Sequence, residues 1–218
     1  MRILILLLVL LASSVTAQES YNEVSIEGWP VKMSRSITPK RAAQARELLT
    51  QKLRDIRGVL PRQALRRLLK IPIWVDAKAY DLHGLRFNPS AQWLREHGQD
   101  PRLANGVQIC NVDDFLSWKD QPWFVLHELA HAYQFNVLGD TNPQVLAAFR
   151  NAQQKGLYQQ VKRNNGRVER AYALNNEREY FAELSEAYFG VNDFFPFDRK
   201  DLATYDPVGF AMMEKCWR

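Results

Sequence analysis

The sequence predicts an α+β fold, mostly helical, with a small mixed or antiparallel sheet. Three observations predict it. Apolar residues recur at helical spacing over residues 38–58 and 123–189, short β-branched runs lie near residues 24–33, 71–75 and 106–112, and Gly and Pro separate these segments. No internal repeat, low-complexity tract or linker interrupts the chain.

At the start, Arg2 precedes an apolar run over residues 3–12 and small residues ending in Val15, Thr16 and Ala17. This is the pattern of a secretory signal peptide cleaved after Ala17. The run falls short of the about 20 apolar residues that a membrane-spanning helix needs. Cleavage leaves 218 − 17 = 201 residues, enough for one sizeable core, so residues 18–218 are expected to form one domain in a secreted or periplasmic protein. The formal charge falls from +5 to about +4 with the loss of Arg2. The cations concentrated over residues 40–70 accompany Leu and Ile at helical spacing, which reads as a solvated helix face. Neither a nucleic-acid partner nor stable membrane association after cleavage is expected. Export also makes a disulfide between Cys110 and Cys216, the only two thiols, chemically reasonable, with two buried free thiols as the alternative.

Taken in order, Val24, Ile26, Trp29, Val31 and Met33 alternate with polar residues, as in a strand pair broken at Gly28 and Pro30. Thr38 is a good N-cap and Pro39 suits a first helical position. Ala42, Ala45, Leu48, Leu49, Leu53 and Ile56 then form one apolar stripe that Gly58 ends. A shorter helix is expected over residues 62–69 and a strand over 71–75. Residues 78–105 read as loop with one helical piece at 91–96, followed by a strand at 106–112. Next comes a buried helix from Trp123 to Val137, with Asp120 as a candidate cap, Pro122 in its first turn and Gly139 at its end. Further helices are expected over residues 143–155, 157–162 and 176–189, the last stopped by Gly190, and one or two short ones in the tail.

Chemistry concentrates in the buried helix, which carries His127-Glu128-Leu129-Ala130-His131. Residues four apart share a helix face one turn apart, so both imidazoles can reach one ion while Glu128 stands beside them as general base toward its water. Zinc is the expected metal, because it accepts imidazole and carboxylate ligands and catalytic sites keep a position for water. The longer motif with a third His is absent, since Gln134 and Val137 stand where its Gly and His would be. Carboxylates are supplied instead by Asn176-Glu177-Arg178-Glu179-Tyr180-Phe181-Ala182-Glu183, the opening of a second apolar helix. Glu179 and Glu183 share a face, and the expected division of labour has Glu179 bind the ion while Glu183 holds a ligand imidazole in the right tautomer. Glu186 lies near the same face one turn on. His83 and His97 sit in polar sequence with no partner at ligand spacing.

The pair of motifs, HELAH and NEREYFAE, resembles the gluzincin zinc peptidases, and the second is similar to the catalytic domain of the anthrax lethal factor family. The resemblance covers residues 123–190 and implies a zincin-like domain. It also implies that Glu179 is the zinc ligand and Glu183 a supporting acid. Tyr172, seven residues before the ligand Glu, is implied to stabilise the reacting oxygen.

The expectation is a secreted zinc metallopeptidase acting on a polypeptide substrate, with one Zn2+ on His127, His131 and Glu179, and with Glu128 and Tyr172 as catalytic groups. A metal-dependent amidase acting on a non-protein amide and a catalytically inactive zinc-binding protein are the alternatives. Residues 106–112 are a candidate edge for pairing with an extended peptide, with an interior strand as the alternative.

Overall fold

A computed structural model describes residues 19–218, and the segment read as a signal peptide lies outside the described residues. The described chain opens with a hairpin of β1 (Tyr21–Ile26) and β2 (Trp29–Ser34), antiparallel and in register from Tyr21↔Ser34 to Ile26↔Trp29. Its two-residue turn has positive φ at both Glu27 (51°) and Gly28 (96°), the geometry that matches the right-handed twist of the strands and explains the glycine. β2 runs parallel to β3 (Ile73–Val75), which runs parallel to β5 (Gly106–Ile109); β4 (Leu85–Asn88) closes the sheet antiparallel to β5. The strand order β1-β2-β3-β5-β4 makes the five-stranded sheet mixed.

The alternation of side chains divides this sheet into two faces. Val31, Ile73, Val107 and Ile109 join the main core, whereas Trp74 points the other way into a small cluster with Leu94 and Leu103. α1 (Pro39–Val59) covers the first face with Ala45, Leu49, Leu53 and Ile56, the stripe read from the sequence, and Thr38 Oγ1 caps it. α2 (Arg62–Leu68) adds Ala64 and Leu68 to the same core. On the second face lie α3 (Ala91–Glu96) and a buried polar chain. In it Asn88 Nδ2 donates to Gln108 Oε1, Gln108 Nε2 to Asp76 Oδ2, and the Tyr21 hydroxyl to Asp76 Oδ1.

Three expectations are corrected here. β5 lies between β3 and β4 with all four residues buried, so it is interior, and the edge strands among the described residues are β1 and β4. Val112 begins a helix of its own, α4 (Val112–Ser117), because the Asn111 side chain accepts the amides of Asp113 and Asp114. Residues 157–162 form a turn and then β6 (Val161–Lys162), paired with β7 (Val168–Glu169), rather than a helix.

The second half of the chain is helical. α5 (Phe124–Tyr133) starts without a side-chain cap, since its N-cap position is Trp123 and Asp120 lies three residues earlier, and it passes into one π turn, Gln134–Leu138, that ends at Gly139 with φ 87°. α6 (Pro143–Gln154) is capped by Asn142 and α7 (Glu177–Phe189) by Asn176, each side chain accepting two backbone amides. α8 (Arg199–Tyr205) and α9 (Pro207–Cys216) close the bundle. Asp206, fully buried, caps α9 through Gly209 N and accepts the hydroxyls of Tyr158 and Tyr180. No helix of the described residues is long and apolar enough to cross a membrane.

The disulfide does not form, and Cys110 and Cys216 are both free and buried. Cys110 follows β5 and points its sulfur to the Gln108 carbonyl, while Cys216 ends α9 beside Gln144 of α6, so the two thiols belong to different contacts. Burial pushes the Cys110 thiol up to about 12 and that of Cys216 up to about 11, which keeps both protonated and poorly nucleophilic at neutral pH.

Two indoles hold α5 against α7. Trp217 stacks on Tyr133 of α5 and on Phe181 of α7, with its Nε1 donating to Ser185 Oγ at 3.1 Å. At the other end Trp123, the residue before α5, lies flat against Gly190 after α7, where an added Cβ would come within 2.0–2.4 Å of the indole. Gly190→Ala is therefore expected to lower the unfolding free energy by about 1–3 kcal/mol through overpacking. Urea melts check this, and an unchanged midpoint would show that the junction yields freely.

Candidate metal centre

α7 runs antiparallel beside α5, as three pairings show: Gly190 meets Trp123, Glu186 meets Gln121 and His127, and Glu179 meets His127 and His131. Both helices are buried around most of their circumference, so these polar groups face each other in a largely dry seam. The geometry is tight. Glu179 Oε2 lies 3.0 Å from His127 Nε2 and 3.2 Å from His131 Nε2, and the two rings meet edge to face at 4.8 Å.

The other nitrogen of His127 is also engaged. Its Nδ1 lies 2.8 Å from Glu186 Oε1, which accepts a further hydrogen bond from Gln121 Nε2 at 2.6 Å. Glu183, given this task by the sequence reading, has its nearer oxygen 3.9 Å from Nδ1 and accepts instead from Asn192 Nδ2 at 3.1 Å. Glu186 takes over because one further turn of α7 carries it toward the start of α5, level with Nδ1. The sequence placed Glu186 near the same face one turn on but gave the orienting role to Glu183.

Burial alone would lower the His127 imidazolium, but the carboxylates of Glu179 and Glu186 on its two nitrogens outweigh burial and raise it well above the ordinary value. Burial would likewise raise Glu179, yet the two imidazoles hold it well below the usual carboxylate range. Glu183 and Glu186, both enclosed, are pushed up by burial. The second oxygen of Glu186 has no hydrogen-bond partner among the described residues.

This arrangement tests which ion the residues fit. With Glu186 holding the Nδ1 hydrogen, a neutral His127 presents a lone pair at Nε2, facing the Glu179 carboxylate and the second imidazole. Glu179 Oε2, 3.0 and 3.2 Å from the two Nε2 atoms, calls for positive charge between them, which a protonated His127 supplies without an ion and a bound cation would supply in its place. Ligand atoms about 2.0–2.1 Å from a tetrahedral zinc would stand roughly 3.3 Å apart, close to the two spacings from Glu179 to the imidazoles. Two His and one carboxylate are also a donor set that suits zinc at an open catalytic site.

A second grouping of His127, Glu183 and Glu186 lies on the Nδ1 side. It fits an ion poorly, because Gln121 aims a donor at that spot and the grouping is wholly buried. The side carrying Glu128, His131 and Glu179 is partly exposed.

The remaining residues fall into place around this centre. The imidazoles of His127 and His131 and the carboxylate of Glu128 offer ligand atoms within 4.8 Å of one another. Tyr172, on a short turn before α7, is 47% exposed with its ring 6.2 Å from that of His127. His83 hydrogen-bonds Asp114 and His97 stacks on Trp93, both away from this cluster. Gln121, Glu186 and Asn192 were not singled out as partners by the sequence reading.

No protein-family model, curated sequence or solved structure matches the chain.

Zinc titrated into the purified protein in competition with a chromophoric chelator tests the division of labour. Glu186→Ala is expected to weaken binding by about 10–100-fold, the usual effect of removing the partner of a ligand imidazole. Glu183→Gln is expected to weaken it less. The reverse order would return the orienting role to Glu183.

Proposed function

We propose that the chain is an exported zinc-dependent peptidase of zincin-like fold. The observation that carries the reading is Glu179 Oε2 lying within 3.2 Å of both imidazole Nε2 atoms, with Glu128 beside them on the more open side. His127, His131 and Glu179 would hold the ion. Bound there, zinc would supply Lewis acidity, activating a water and polarising a carbonyl.

The chain's own groups supply the rest. Glu128 follows His127 directly, so it accepts the proton of the attacking water and later delivers it to the leaving amine. Tyr172 donates a hydrogen bond to the substrate oxygen on which negative charge develops, an interaction stronger in the transition state than before it. Its ring is half-exposed, so the hydroxyl is free to meet a ligand, and burial together with the Glu179 charge keeps that hydroxyl protonated. Glu186 fixes the His127 tautomer, leaving Nε2 for the ion.

A peptide is favoured over another amide by the edge strand. β4 packs against α5 and, among the described residues, has no strand on its outer side. The Gly84 and Asn88 carbonyls accept from Cys110 and Asn105 on the β5 side, so by alternation Leu85 and Phe87 turn their backbone groups outward. An extended backbone can pair there, and a compact non-peptide amide gains nothing from it. Glu128 argues against a purely structural ion, which usually has four protein ligands and needs no base. The leader read from the sequence assigns this activity to an extracellular or periplasmic setting.

The zinc-loaded protein is expected to cleave peptides from a proteome-derived library, read by mass spectrometry. Glu128→Gln is expected to keep the metal while losing at least about 100-fold in kcat, the lower range for a positioned base. Equal turnover by the variant would contradict the assignment.

A further inference from the structure

Folding has left large apolar side chains in water at both ends of the strip between β4 and α5. At one end Trp118, 39% exposed, covers Gly84 just before β4 and stacks on Phe124 at the start of α5. At the other end Phe135, 40% exposed, meets Phe87 of β4 with ring centroids 5.8 Å apart. Phe135 stands four residues after His131, in the π turn that follows α5, and Val137 in the same turn is 39% exposed. Asn136 anchors this turn to Asn105 before β5 at 2.7 Å. Single exposed apolar residues are ordinary on a protein surface. Here they sit at the two ends of the one strand edge that lies along the helix carrying His127, Glu128 and His131.

The contacts also give direction and length. Gly84 lies by Phe124 through Trp118, and Phe87 lies by Phe135, so β4 runs along α5 with the proposed catalytic groups between the two aromatic ends. Eleven residues of helix separate Phe124 from Phe135, about 16 Å at 1.5 Å per residue. An extended peptide covers that distance in about five residues.

We infer that Trp118 at one end and the Phe87–Phe135 pair at the other determine specificity, selecting peptides with a large apolar side chain on each side of the cleaved bond, about five residues apart. This rests on the peptidase reading and adds the class of substrate to it. Each end gives a flat apolar surface already fixed by its neighbours, so a substrate side chain is desolvated against it without ordering a loop. Arg86 and Asn88 cannot serve, because they point to the other sheet face, where Arg86 lies over Trp93 and Asn88 bonds Gln108.

The test uses the zinc-loaded mature chain with a randomised, fluorescence-quenched peptide library, followed by matched peptides bearing Leu or Ala at each selected position. Cleaved peptides are expected to be enriched in Phe, Tyr, Leu or Met about two to three residues from the bond on both sides. Trp118→Ala should abolish enrichment on one side and Phe135→Ala on the other. Each should lower the Leu-to-Ala ratio of kcat/KM by about 10-fold or more, the scale of apolar discrimination. Phe135→Leu should restore most of that ratio, which a merely structural role would not do. Both positions are half-exposed, and equal thermal midpoints of the variants would confirm that they fold. Cleavage without apolar enrichment, or enrichment intact in both Ala variants, would overturn the inference and leave the peptidase reading standing. Failure of the metal-loaded parent to cut any peptide would overturn the reading itself, and the inference with it.

Discussion

The antiparallel packing of α7 on α5 is the constraint from which the rest of the candidate centre follows. It brings a carboxylate from residue 179 between two imidazoles some fifty residues upstream, and a second carboxylate from residue 186 behind one of them. The distances tolerate little error, because a slip of one helical residue along either axis moves a side chain by about 1.5 Å and turns it off the seam. The fold guards the register at both ends, with Trp123 seated on Gly190 and Trp217 wedged against Tyr133 and Phe181. The buried Asp206, through Tyr180, ties α7 to α9 as well.

Burying this many carboxylates beside one seam opposes folding unless each finds a partner. Arg163 pairs with Asp193, Asn192 reaches Glu183, and Gln121 and His127 share one oxygen of Glu186. The cluster of Glu179 with two Nε2 atoms differs from these, because its carboxylate is met there by a proton on His127 Nε2 and would face a lone pair once that proton is lost. On the proposed reading a divalent cation resolves the conflict, and its binding free energy is then also folding free energy. Pre-set acceptors favour the ion, and the same seam that enforces them keeps Nδ1 of His127 occupied so that only Nε2 is available.

Much of this was legible in the sequence for identifiable reasons. The Thr38 cap, the α1 stripe and the Gly28 turn are local signals, and local signals survive into the fold. Spacing put His127 and His131 on one face, and the acids of a second apolar helix, with the family resemblance, pointed to Glu179. What failed was non-local. β4 is four residues long in a Gly- and Pro-bounded stretch, too short for alternation to stand out, and without it β5 looked like an edge. The choice between Glu183 and Glu186 depends on how far α7 slides along α5, which no pattern within α7 encodes. Cys110 and Cys216 stay apart for a similar reason: each is set by its own packing, and compartment chemistry says nothing about distance.

X-ray absorption at the zinc edge on the zinc-loaded mature chain tests the central claim most directly. The account predicts one ion per chain with nitrogen and oxygen donors at about 2.0–2.1 Å. Two of these donors should be imidazoles, sulfur should be absent, and one oxygen donor should be altered or lost in Glu179→Ala. A protein that takes up no zinc, an ion bound through sulfur, or a coordination shell that Glu179→Ala leaves unchanged would contradict it.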